Sequence, residues 1–140
     1  MFSKFHSLIR NNRGQTLVEL ALILPILLLL IFGIIEFGRI FNAHLTLTHA
    51  SREGARAGAV HTINEEIENI VIDASYPLII DDTNINIEVD PPENPPDTIR
   101  DTGDAITVEI NSTIEIFTPV ISNLLENPYP VSGKTTMRVE

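Results

Sequence analysis

The residues near the N-terminus that can do chemistry are few and closely spaced. They form the stretch Arg13-Gly14-Gln15-Thr16-Leu17-Val18-Glu19, which leads directly into Leu20-Ala21-Leu22-Ile23-Leu24-Pro25-Ile26. A carboxylate at the lip of an apolar run is costly, about 2.5–3.5 kcal/mol for an ionised group at a membrane-helix centre and less near its end. Glu19 therefore calls for a partner. A cut between Gly14 and Gln15 would leave a free amine on Gln15 one helical turn from Glu19. Amine and carboxylate would then pair, within or between copies, where leaving either alone is expensive. The plainer alternative is that Glu19 snorkels to the interface and engages nothing.

Other chemistry finds little support. The chain has no cysteine, which excludes a disulfide framework, a thiolate metal site and a cysteine nucleophile. His6, His44, His49 and His61 are scattered and make neither an HExxH motif nor a paired ligand spacing. No GxSxG elbow or P-loop occurs. Asp82, Asn84 and Asn86, with Glu93 further on, imitate part of a calcium loop, but isoleucine stands at Ile87 where that loop needs glycine. No enzyme, no metal site and no cofactor is expected.

The elements that must position Glu19 follow from charge and hydropathy. The net charge is -10, and its distribution is lopsided. Residues 1–14 carry Lys4, Arg10 and Arg13 with no acid. Residues 61–140 carry sixteen Asp or Glu against Arg100, Lys134 and Arg138. A basic start before an apolar run stays cytoplasmic, which sends the acidic part across the membrane. Such an acidic domain is unsuited to nucleic acid. Residues 20–35 hold no charge, and a helix of about 20 residues spans roughly 30 Å, enough to cross a bilayer. Pro25 and Gly33 lie inside the run, and proline there predicts a kink or local unwinding that a packing neighbour would satisfy. Gly33-Ile34-Ile35-Glu36-Phe37 offers no small-x-small site, which argues against a cleaved secretory signal. An uncleaved single-pass anchor remains the alternative.

Helical spacing continues through Phe37, Ile40, Phe41, His44, Leu45 and Leu47, and no proline intervenes from Ile26 to Tyr76. One helix from about residue 16 to about residue 60 would be on the order of 65 Å long. Ala50, Gly54, Ala57 and Gly58 lie near one face of it, and their small size admits a close neighbour. That neighbour is either the chain's own sheet or another subunit. Arg52 and Arg56 share a second face, where Glu53 can reach Arg56 at i+3.

Beyond it, Ile63, Ile67, Ile70 and Val71 predict a second helix, or the last turns of the first, that Asn64 could cap. Residues 84–90 and 104–116 alternate as half-buried strands, separated by a proline-rich loop at 91–97. Thr118-Pro119 predicts a short helix with threonine as cap and proline at its first position. Residues 134–139 predict a closing strand. The expected fold is α+β: a long N-terminal helix, transmembrane then emergent, packed against a small three- or four-stranded antiparallel sheet. Its divisions are a basic leader at 1–14, a transmembrane helix at 15–36, a stalk at 37–60 and an acidic extracytoplasmic domain at 61–140.

The run Arg13-Gly14-Gln15-Thr16-Leu17-Val18-Glu19-Leu20-Ala21-Leu22-Ile23-Leu24-Pro25 resembles the opening of TadE-like proteins, minor pilins or pseudopilins of the tight-adherence (Tad/Flp) pilus. Ile35-Glu36-Phe37-Gly38-Arg39 and Ala50-Ser51-Arg52-Glu53-Gly54-Ala55-Arg56-Ala57 follow the same pattern, and the likeness covers roughly residues 13–58. It implies processing by a prepilin peptidase between Gly14 and Gln15, with Glu19 as a docking charge. It further implies the inner membrane, other pilins or pseudopilins and the Tad assembly machinery as partners. Gln15 departs from the phenylalanine found there in major type IV pilins. An uncleaved, membrane-anchored binding or assembly-platform protein is the second expectation.

Overall fold

The computed structural model describes residues 12–60, 63–90 and 102–140, apart from the side chains of Asn12 and Arg13. The proline-rich loop and the other three positions of the leader's basic and histidine residues, Lys4, His6 and Arg10, lie outside them, as do His61 and Glu93.

Helix α1 (Asn12–Ala59) is continuous through Pro25 and, at 48 residues, about 72 Å long. Its two halves behave differently. Every residue from 14 to 32 is exposed, whereas Ala43, Leu47, Ala50, Ala55 and Ala59 are buried. The second half is therefore a structural wall of the folded head.

Helix α2 (Asn64–Ala74) lies against α1 and buries Ile67 and Val71. Ile63, not Asn64, is its cap: the Ile63 carbonyl accepts from Glu66 and Ile67, and no side chain caps the helix. A 3-10 turn (Asp82–Asn84) leads into β1 (Ile85–Asp90), then β2 (Ala105–Ile114), the short α3 (Pro119–Ser122) and β3 (Tyr129–Arg138). The sheet has three strands in the order β1-β2-β3, both pairings antiparallel. The long helix packs on this sheet as its residue pattern predicted.

Register follows from the alternation. Ile85, Ile87 and Val89 stand beside Ile110, Val108 and Ile106 on the face toward α1, while Asn86, Glu88 and Glu109 face out. Strand β3 begins at Tyr129, five residues before the expected start at Lys134. Pro130 is tolerated there because β3 is an edge strand with one side unpaired. Helix and sheet come close together at Gly133, where an added Cβ would lie 2.4 Å from the Leu47 carbonyl carbon and oxygen. Beside it, the buried Ser51 hydroxyl meets Thr135 Oγ1 at 2.8 Å. Strand β3 runs along α1 from near its exposed apolar half toward its C-terminus, where the Glu140 amide donates to the Ala59 carbonyl.

Candidate functional site

The N-terminal end brings Gln15 and Glu19 together. The Gln15 side-chain amide donates to Glu19 Oε1 at 3.1 Å, one turn along the same face. Gly14 is exposed, and a Cβ added there would meet nothing within 4 Å. The Gly14–Gln15 bond lies in the first turns of α1, where helix ends fray readily and glycine weakens the helix by about 1 kcal/mol relative to alanine. Pro25 is exposed on the uninterrupted helix and cannot donate to the carbonyl of Ala21.

The small residues of the emergent half face the chain's own head. A Cβ on Gly54 would fall 2.4 Å from Val71 Cγ2, and one on Gly58 would fall 2.1 Å from Ile106 Cδ1. Ala50 is fully buried and Ala57 half-buried in the same core. Arg52 and Arg56 are exposed, and the expected Glu53–Arg56 pair does not form. Among the described residues, the ion pairs are Arg39 with Glu36 and Lys134 with Glu109. Glu53 is half-buried.

Around Asp82 the polar groups are used locally. The Thr83 amide donates to Asp81 Oδ1 at 3.1 Å, and the Asp81 amide donates to Asn84 Oδ1 at 3.0 Å, which closes the 3-10 turn. No group of three or more acids or histidines is arranged for a metal among the described residues.

A second carboxylate, Glu36, proves more informative than the pattern of residues suggested. It ends the uncharged run, yet it is only 3% exposed. Its Oε1 accepts from the Phe117 amide at 2.9 Å, the Thr118 amide at 3.0 Å and the Thr118 hydroxyl at 3.1 Å. Its Oε2 pairs with Arg39 at 2.8 Å. The Arg39 guanidinium also donates to the Glu115 carbonyl at 3.3 Å and stacks 4.4 Å from the Phe117 ring centre. Thr118 does occupy the cap position of α3, but its hydroxyl serves Glu36 instead of capping. Asn127 closes the base of the loop through the Ile116 amide at 3.1 Å. A cleft of about 340 Å³ opens here between Phe32, Ile35, Phe117 and Pro119. The signal that could have singled out Glu36 is its own: an acid bounding an uncharged run, with an arginine at i+3. Its main partners lie 81 and 82 residues away, beyond any local pattern.

The fold thus defines a class of chain: one long apolar helix, uncovered over its first half, that carries a small α+β head on its second. Residues 14–56 match the model of the TadE-like protein family. The match begins at Gly14, takes in Glu19, Pro25, Glu36 and Arg39, and ends inside α1 before the sheet begins. No curated protein and no solved structure matches the chain.

Proposed function

We propose that this chain is a minor pilin or pseudopilin of a Tad-type pilus or secretion system. It inserts in the inner membrane with residues 1–14 cytoplasmic and the head outside. A prepilin peptidase cuts it between Gly14 and Gln15, and it then assembles with other pilins through α1.

The observation that carries this reading is an apolar surface longer than a bilayer needs. From Leu17 to Ile35 the helix covers about 27 Å, close to the roughly 30 Å of a hydrocarbon core. Beyond Glu36 the side of α1 turned away from the head continues with Phe37, Phe41 and Leu45, which are 74%, 60% and 51% exposed. Their i, i+4, i+8 spacing makes one stripe that extends about 15 Å past the span. A lone anchor has no use for that stripe, whereas a neighbouring helix in a filament would bury it. The uncovered carbonyl at Pro25 and the Glu19 carboxylate suit the same contact, since both gain from a packed partner.

The reading is tested by the intact mass of the chain recovered from membranes and from sheared surface filaments. The expected filament species starts at Gln15. The Gly14→Ala variant should retain its leader, and Phe41→Glu should stay folded and membrane-bound yet be absent from filaments. A Gly14→Ala chain with the wild-type mature mass would remove the processing step. Wild-type protein found solely in membranes would favour the uncleaved assembly-platform alternative.

A further inference from the structure

The tip of the head next to Glu36 has an unusual surface. Strand β2 ends at Ile114 and β3 begins at Tyr129, so residues 115–128 form the connection at one end of the sheet. That end is the one held at Glu36, while the opposite end meets Ala59. Within the connection, residues 116–125 carry no charge, and Glu115 and Glu126 flank them, both exposed. Phe117, Val120 and Leu124 are 70%, 50% and 78% exposed. The chain therefore holds apolar side chains outward at the level where the apolar run of α1 ends.

Many of the polar groups of the same segment are engaged within it. The Ile121 and Ser122 amides donate to the Thr118 carbonyl, and the Leu124 and Leu125 amides donate to the Ile121 carbonyl. The Ser122 hydroxyl and the Asn123 side-chain amide both fold back onto the Pro119 carbonyl, at 3.1 and 2.7 Å. The Phe117 and Thr118 amides are taken by Glu36. A surface with apolar groups outward and most of its backbone amides satisfied internally suits the interfacial edge of a bilayer, where the remaining polar groups reach water. Its height suits it as well. Pro119 shares a cleft with Phe32 and Ile35 of the uncharged run, so the apolar tip is continuous with the surface that faces lipid.

We propose that residues 117–125 dip into the outer membrane–water interface and give the protein a second lipid contact beside its helix. Glu36 and Arg39 set the depth of that contact by tying the segment to α1. Leaving the bilayer for a filament then requires withdrawing the tip as well as the helix. This rests on the reading of α1 as the membrane span, and the test separates the two.

The chain has no tryptophan, so single introduced tryptophans report position without background. Full-length Leu28→Trp, Leu124→Trp and Ile63→Trp are reconstituted in phosphatidylcholine vesicles brominated either near the headgroup or near the bilayer centre. Ile63 is exposed on the head beyond the C-terminal end of α1, which lies about 35 Å along the helix from Glu36, and controls for tryptophan's own affinity for interfaces. The expected result is loss of fluorescence for Leu124→Trp chiefly with shallow bromines, for Leu28→Trp with deep ones, and for Ile63→Trp with neither. Quenching of Leu28→Trp while Leu124→Trp behaves like Ile63→Trp would overturn the proposal and leave the anchor standing. Equal quenching of Leu124→Trp and Ile63→Trp would also overturn it, since the whole head would then lie on the bilayer. An unquenched Leu28→Trp would remove the membrane span and the proposal with it.

Discussion

Replacing Glu36 by alanine should release the tip of the head while leaving the rest folded. The carboxylate accepts three hydrogen bonds from Phe117 and Thr118 and holds Arg39 with its other oxygen. A single hydrogen bond to a charged group contributes about 1.5–3 kcal/mol, and the three are not additive because they open together. Opening also returns the two amides to water, which limits the loss to about 3 kcal/mol. Because the segment opens locally, this cost falls on the exchange of its own amides and not on global unfolding. At about 1.4 kcal/mol per tenfold, the Phe117 and Thr118 amides should exchange roughly 100-fold faster in Glu36→Ala. Arg39→Ala should cost less, about 1 kcal/mol or under, because its side chain is 36% exposed and solvent screens the pair. Thr118→Val removes one bond of the three and should cost about 1.5 kcal/mol, the low end for a bond to a charged group, because Glu36 Oε1 keeps its two amide donors. The assay is hydrogen exchange on the full chain in detergent micelles, read by fragment mass or by resolved amides. Exchange at 117–118 within about threefold of wild type in Glu36→Ala would refute the latch, as would an equal acceleration across β2 and β3.

Further outcomes follow from the head's close contacts and its surface charges. Gly133→Ala should be the most damaging of three glycine changes, about 3 kcal/mol or more, because its Cβ would strike the α1 backbone at Leu47, which cannot rotate away. Gly54→Ala should cost about 1–2 kcal/mol against the stiff Val71 side chain. Gly58→Ala should be near neutral, since the tip of Ile106 can move and alanine favours helix by about 1 kcal/mol. Denaturant midpoints in micelles test that order, and a Gly133→Ala chain as stable as Gly58→Ala would overturn it. On the outer sheet face, Lys134 donates to Glu109 at 2.9 Å across the β2–β3 pair. The hydrogen bond and charge of Lys134 hold the Glu109 carboxyl below its usual range, and Glu109 raises the Lys134 ammonium above its own. The pair's contribution is therefore complete above the ordinary carboxylate pKa and below the ordinary lysine pKa. It is lost as the pH falls through the lowered Glu109 value or rises through the raised Lys134 value. Both groups are exposed, so the gap between wild type and Glu109→Gln should be small and should shrink with salt. A gap independent of pH would refute the assignment.

Much of this architecture was legible in local patterns. The uncharged run, the helical spacing beyond it and the absence of proline between Ile26 and Tyr76 mark one long helix. Alternation over 84–90 and 104–116 marks two strands, and its parity places Ile106, Val108 and Ile110 inward as the structure has them. Thr118-Pro119 marks the start of α3. Each of these signals arises from repeat or capping chemistry within a few residues. The start of β3 was hidden because Tyr129-Pro130 reads as a stop, and only its edge position makes proline acceptable. The Glu53–Arg56 pair was expected from helix spacing alone, which puts the two within reach but does not make them meet.

By itself the sequence determined the helix, its apolar length, the charge asymmetry between the chain's ends and the inward face of each strand. These depend on neighbours one to four residues apart, whose physics a linear pattern records. The tertiary structure alone decided that Gly133 meets Leu47 and that Glu36 is a buried acceptor for Phe117 and Thr118. These contacts join segments some eighty residues apart. Their cost and reward arise only when packing removes water from both partners at once.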